Sequence, residues 1–252
     1  MKGARRALAG LCALASAGQA GRARAADTRP NAAILTWERA FPVDAEAEHV
    51  HFVASFAGKD GGRHTLEVWR RGETFLRRTT DGQLDMYVVA RRGRSGDYDY
   101  RLFDHRRHVV TDVARANLYR IGVFSDWFGL AHIVEHPKVA FDLSQADPPG
   151  PGRGASVPRV DCLWRELRLD PRSGQAGGQP SRARICWSAR LGAPMVIAEP
   201  AVGTDVWEER FVIERVQPSP VSARRDPETV PATPSGWTRI DANQEIDPGA
   251  GD

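Results

Sequence analysis

ETFLRRTTDGQLDMYVVA, Glu73 to Ala90, decides the fold. Two runs rich in Thr, Phe, Leu, Tyr and Val flank Asp81-Gly82. That dipeptide suits a tight hairpin turn, whose central residues take positive φ. In the second run Leu84, Met86 and Val88 share one side, against Asp85 and Tyr87 on the other. This period of two is that of a strand with one face turned to a core.

The same grammar extends on both sides. HVHFVASF (49–56), HTLEVWRRG (64–72) and DYDYRLFD (97–104) read as strands, and RRHVVTDV (106–113) as a further short one, joined by turns such as GKDGGR. Tyr98, Tyr100 and Leu102 share a side, against Asp97, Asp99 and Arg101. No helix-length insertion separates these runs, so antiparallel pairing is expected. A sheet with one apolar, aromatic face has to cover it. The predicted cover is VFSDWFGLAHIVEH (123–136), where Phe124, Trp127, Phe128, Ala131 and Val134 recur at helical spacing. Ser125 is its expected N-cap and Pro137 its stop.

A Pro/Gly-rich loop (145–158) leads to a second group of strands: VDCLWRELRLD and RARICWSARL around the loop 171–180, then APMVIAEP and DVWEERFVIERV. Residues 217–236 are Pro-rich and read as extended, and 241–252 as a loose tail, with Trp237 and Ile240 able to dock. The expected organisation is one β-rich domain over residues 27–240.

Residues 1–26 have the form of a secretory signal peptide. Lys2, Arg5 and Arg6 precede an apolar run from Ala7 to Ala17, and Ala23-Arg24-Ala25 offers a small-residue cleavage site. Its removal takes five cations and no acid, turning the formal +3 into −2. The basic balance thus belongs to the leader, and nucleic acid is not an expected partner. Export implies a periplasmic location, and Cys162 and Cys186, the two cysteines beyond the leader, are expected to form a disulfide. If Cys162 faces Cys186, the hairpin centre falls at Gly174.

Few patterns point to catalysis. HIVEHP (132–137) matches His-x-x-Glu-His, a zinc-peptidase signature in which two imidazoles one helical turn apart bind metal and a glutamate serves as base. Here Pro137 ends the helix at the second histidine and no third ligand stands out. The alternative is a helix end with His132, Glu135 and His136 on its polar side. His49 and His51, His105 and His108, and the acids Asp97, Asp99 and Asp104 read as ordinary strand and turn residues. No catalytic residue, metal or cofactor is assigned. The candidate ligand-binding residues are apolar: Trp69, Leu84, Met86, Val88, Tyr98, Tyr100, Leu102, Trp127, Phe128, Trp164 and Trp187. Sheet and helix together can leave a pocket for a hydrophobic ligand.

Leu167, Leu169, Asp170 and Pro171, followed by Trp187, Gly192 and Pro194, resemble the paired "Leu-x-Leu-Asp-Pro" and "Trp-x-x-x-x-Gly-x-Pro" strands of the periplasmic lipoprotein-carrier superfamily, LolA/LolB-like, which includes RseB-type sensor domains. FVIERVQPSPV, Phe211 to Val221, is similar to its late strand. The resemblance covers roughly residues 45–240. It implies an incomplete antiparallel β-barrel under a helical lid. It also implies a non-enzymatic binder of lipid or of a lipoprotein's acyl chains, and the chain is expected to be a monomer. A sensor module with a membrane-protein partner is the alternative, and a zinc hydrolase built on His132, Glu135 and His136 a remote one.

Overall fold

A computed structural model describes residues 34–44, 49–91, 97–121, 127–149, 162–170, 182–201, 204, 206–217 and 229–244. Contacts divide the chain into residues 1–31 and 32–252, and every described residue lies in the second unit. Ser125, the leader, the loop 171–181 and most of the Pro/Gly-rich loop lie outside the described residues.

The fold is mainly β: one large, curved, unclosed sheet with few helices. The chain enters through a short helix, α1 (Trp37–Ala40). A first meander follows: β1 (His49–Ala57), β2 (Arg63–Arg71), β3 (Phe75–Thr80), β4 (Leu84–Ala90), β5 (Tyr98–Asp104) and β6 (Val109–Ala114). A 3-10 helix (Arg115–Ile121) and α2 (Trp127–His132) come next. A second meander comprises β7 (Phe141–Gln145), β8 (Leu163–Leu169), β9 (Arg182–Ser188), β10 (Ala193–Pro200) and β11 (Trp207–Gln217), and β12 (Thr238–Asp241) ends the series.

The strand order is β12-β6-β5-β4-β3-β2-β1-β11-β10-β9-β8-β7. Each meander runs in chain order, and the antiparallel pair β1·β11 fuses them, with a bulge between Val53 and Ala54. Among the described strands β12 alone pairs in parallel, with β6. The Asp81-Gly82 turn forms as the dipeptide requires: φ is 51° and 64°, and Gln83 N donates to Thr80 O at 2.9 Å.

Alternation gives the first meander two faces. One carries Val50, Phe52, Ala54, Leu66, Val68, Leu76, Val88, Tyr98, Tyr100 and Val113, all buried in the largest hydrophobic cluster with Leu130 and Ala131 of α2. We call this the inner face. On the outer face, directly opposed residues form a ladder: His51, Trp69, Arg77, Tyr87, Arg101 and Asp112, one from each of β1 to β6. His51 stacks on Trp69 with ring centroids 4.6 Å apart, and the Arg77 guanidinium lies 4.5 Å from the Trp69 ring and 5.3 Å from that of Tyr87. Asp112 accepts from Arg101 Nε at 2.5 Å and Arg239 Nε at 2.7 Å, which fastens β12 to the edge.

In the second meander, α1 covers the face bearing Ile185, Trp187, Leu143 and Ala183. Phe41 lies against Trp187 with centroids 5.1 Å apart, and Trp187 Nε1 donates to Pro42 O at 2.6 Å. On the other face Glu166 accepts from Arg168 Nε (2.6 Å), Arg182 Nε (2.8 Å) and Arg184 Nε (3.1 Å). Burial alone raises the pKa of a carboxyl, but these three guanidinium hydrogen bonds prevail and hold Glu166 down at about 2.

The structure departs from the sequence expectation at several points. The helix ends at His132, because Ile133 takes φ 68°, a left-handed cap, four residues before Pro137. α1 and β12 fall in segments where no element is expected from the sequence: α1 has four residues, too few for a periodic pattern, and β12 is exposed throughout. Cys162 and Cys186 stand at disulfide distance, their Cα atoms 5.4 Å apart. They are not directly opposed, since Trp164 faces Cys186; Gly174, the centre expected from direct opposition, lies outside the described residues. A disulfide can span such a diagonal.

Two outcomes are expected of the fold. Reducing the Cys162–Cys186 pair, which closes a separation of 24 residues, should lower the unfolding free energy by about 3 kcal/mol. Urea titrations with and without reductant measure this, and unchanged midpoints would contradict the bridge. The Glu166 contribution is complete above its unfolded pKa of 4.5 and is lost as pH falls towards 2. Wild-type protein should therefore lose more stability across that window than Glu166→Gln.

Candidate functional site

The chain between β6 and β7 joins opposite ends of the sheet, so it has to cross a face of it. It crosses the inner face, and α2 lies there. Apolar contact accounts for part of the docking: Trp127 stacks on Tyr98 at 4.6 Å with the rings nearly parallel, and Leu130 and Ala131 are buried. Phe128 turns to the second meander, 6.3 Å from Trp187.

The remainder is polar and centres on Arg70 of β2. This residue occupies an inward position between Val68 and the turn and is 2% exposed. Nη1 donates to Ala131 O at 2.9 Å and Gly192 O at 3.0 Å, and lies 2.8 Å from His132 Nδ1. Nη2 donates to Leu191 O at 2.5 Å. One buried guanidinium thus joins β2, the C-terminal end of α2 and the β9–β10 turn. Burial pushes its pKa down to about 10, so it remains charged at neutral pH. Carbonyls at a helix C-terminus carry partial negative charge and have no partner in their own helix, so a cation there is favourable. Gly192 permits the approach: its φ is +53°, and a Cβ would lie 2.9 Å from Arg70 Nη2 and 3.2 Å from His132 Nδ1.

His132 is therefore buried, not on a polar helix face. Its ring contacts Phe128 at 4.4 Å, and Nδ1 is 2.5 Å from Gly192 O. His136 packs on Trp37 at 4.7 Å. With the helix ended at His132, residues 132, 135 and 136 do not share one helical turn. Among the described residues no group of three or more His, Cys, Asp or Glu is arranged to hold a metal.

Beside α2 the inner face changes character. The row Arg70–Leu76–Val88–Tyr100–Val113 is buried under the helix. The next row, Arg78–Met86–Leu102–Thr111, is only half-buried, and Leu84 in the row beyond is 40% exposed. These residues form an open apolar strip between α2 and the hairpin tips. At the rim His64 is held between Asp81 Oδ2 (2.6 Å) and Asp60 Oδ1 (3.0 Å), and these two hydrogen bonds raise its pKa.

The candidate residues read from the sequence divide accordingly. Met86, Leu102 and Leu84 line the strip. Val88, Tyr98 and Tyr100 lie under α2 with Trp127, and Phe128 and Trp187 belong to the α1 cluster. Trp164 packs at the edge of the main cluster beside Cys186. Trp69 is not with them: it belongs to the outer ladder, since Val68 and Arg70 hold the inward positions. Arg70, Arg78 and Gly192, which meet α2 or its partners, are not among the residues singled out from the sequence. The signal was present, because Leu66-x-Val68-x-Arg70 and Leu76-x-Arg78 each place an arginine in step with core residues.

Arg70→Met should destabilise the protein by roughly 2–4 kcal/mol, because several buried acceptors lose their donor at once. Hydrogen exchange should rise in 127–132 more than in β3–β5. A change confined to within experimental error at both would mean that Arg70 does not hold α2. In comparison with known proteins, no family model matches the chain and no curated protein matches it.

Proposed function

We propose that this protein is a non-enzymatic, exported binder or carrier of a hydrophobic ligand, a lipid or the acyl chain of a lipidated protein, held on the inner face beside α2. The observation that carries this reading is the half-exposed apolar strip around Met86, Leu102 and Leu84, next to a helix fastened by the polar contacts of Arg70. An apolar surface inside a concavity loses water when a chain enters, at about 0.8 kcal/mol per methylene. Association itself costs about 4–15 kcal/mol, so short chains gain too little to stay. Release then requires α2 to move or a partner to take the chain. The leader-like N-terminus and the cysteine pair support a periplasmic setting.

A second reading, a sensor module with a membrane-protein partner, draws on the opposite face. There Val230 and Trp237 pack against the outer face, Arg101 Nη1 donates to Pro231 O at 3.4 Å, and a cleft of about 360 Å³ is lined by Tyr87, Asp99, Arg101, Asp112, Val230 and Asn243. A partner segment docked there would leave the inner face to the ligand. Crosslinking that traps a membrane protein on this face favours the sensor over the carrier.

Native mass spectrometry of protein purified gently from its host should show an adduct of lipid mass that denaturation removes. In a series of alkyl ligands, affinity should rise about fourfold per added methylene until the strip is filled. Bare polypeptide in the first experiment and no chain-length dependence in the second would end the proposal.

A further inference from the structure

Arg78 is the one cation in the half-exposed row, directly opposite Met86, which is in turn opposite Leu102. Its surroundings differ from those of Arg70. Arg70 makes its contacts at 2.5–3.0 Å and is sealed from solvent. Arg78 Nη1 reaches Leu130 O at 3.4 Å, a long hydrogen bond for a group that offers five N–H donors. Burial pushes its pKa down to about 10, with the charge of Glu135 opposing that shift, yet the side chain keeps part of its surface. Its remaining surface lies in the half-buried row beside Leu130 of α2. Among the described residues its hydrogen bonding is this one long contact to a neutral carbonyl, with the charge of Glu135 acting on it as well, so N–H donors remain for an anion.

The neighbours define the rest of the ligand. Towards β1 the row continues as Val68 and Phe52, both fully buried, which leaves no room. Towards β6 it continues as Met86, Leu102 and Thr111, partly exposed across three strand spacings, about 14 Å. We propose that this strip takes a single-chain amphiphile whose anionic head pairs with Arg78 and whose acyl chain lies over Met86 and Leu102. This rests on the ligand-binding reading above and names its ligand class. The head exchanges the weak Leu130 contact for a charge-assisted one, so occupation also loosens one of the bonds that hold α2. Arg70 retains its own.

Isothermal titration of the full chain with oleate, oleyl alcohol and acetate tests it, with Arg78→Gln and Arg78→Lys alongside. Oleate is expected to bind wild type at least tenfold more tightly than oleyl alcohol, and acetate far more weakly than either. Arg78→Gln should bring oleate down to the level of the alcohol and leave the alcohol unchanged, while Arg78→Lys keeps most of the preference. Equal affinity of oleate and oleyl alcohol for wild type overturns the inference but leaves the hydrophobic-ligand reading intact. So does a preference that survives in Arg78→Gln, or acetate binding as tightly as oleate. If neither oleyl compound binds, both the inference and the reading fall. Should Arg78→Gln not fold, the wild-type comparison still decides.

Discussion

The pairing of β1 with β11 is the constraint on which the rest depends. Without it the chain would be two antiparallel meanders, each with a naked edge. With it they become one sheet, and the two strands on either side of the helical crossover, β6 and β7, lie far apart in the strand order. The intervening chain cannot take a short route along an edge. It has to traverse a face, and the inner face offers apolar rows that would otherwise be wet. The position of α2 is thus a consequence of strand order. Its six residues are too few for an independent helix, so its existence is a product of docking.

How that docking is achieved shapes what the inner face can do. A helix seated only by apolar contacts would settle wherever burial was greatest. Arg70 instead fixes one register, because its guanidinium has to meet Ala131 O, Leu191 O and Gly192 O together. The helix is held over one row of the sheet and the adjacent row stays half-covered. The outer face supplies the complementary rigidity. His51 stacks on Trp69, Arg77 lies over Trp69 and Tyr87, Tyr87 meets the Phe103 ring, and Arg101 pairs with Asp112, so each strand from β1 to β6 is tied to the next by a ring, a guanidinium or a carboxylate. These contacts brace the sheet from the face opposite α2.

Charge on this molecule follows a common logic at three depths. Glu166 gathers three arginines and stays ionised; Arg70 gathers carbonyls and stays cationic under cover; Arg78, half-buried, has one long hydrogen bond among the described residues and the charge of Glu135 acting on it. Buried charge is costly unless compensated, and the three groups differ in how far their partners compensate them.

Period-two alternation and the Asp81-Gly82 turn were enough to determine strands β1 to β6, their antiparallel pairing and the two faces, because both signals are local. Leu84, Met86 and Leu102 were legible as one apolar side for the same reason. The extent of α2 was not, since a left-handed Ile133 ended it where the sequence continued in helical period. Nor was the assignment of Trp69 to the outer face: an aromatic residue looks like core until its inward neighbours Val68 and Arg70 are seen in place. The meeting of Arg70 with the β9–β10 turn joins residues more than 120 positions apart. Such contacts are set by strand order, which is a property of the whole chain closing on itself. Local pattern decided which residues face inward, and only the tertiary structure decided which of them the helix would cover.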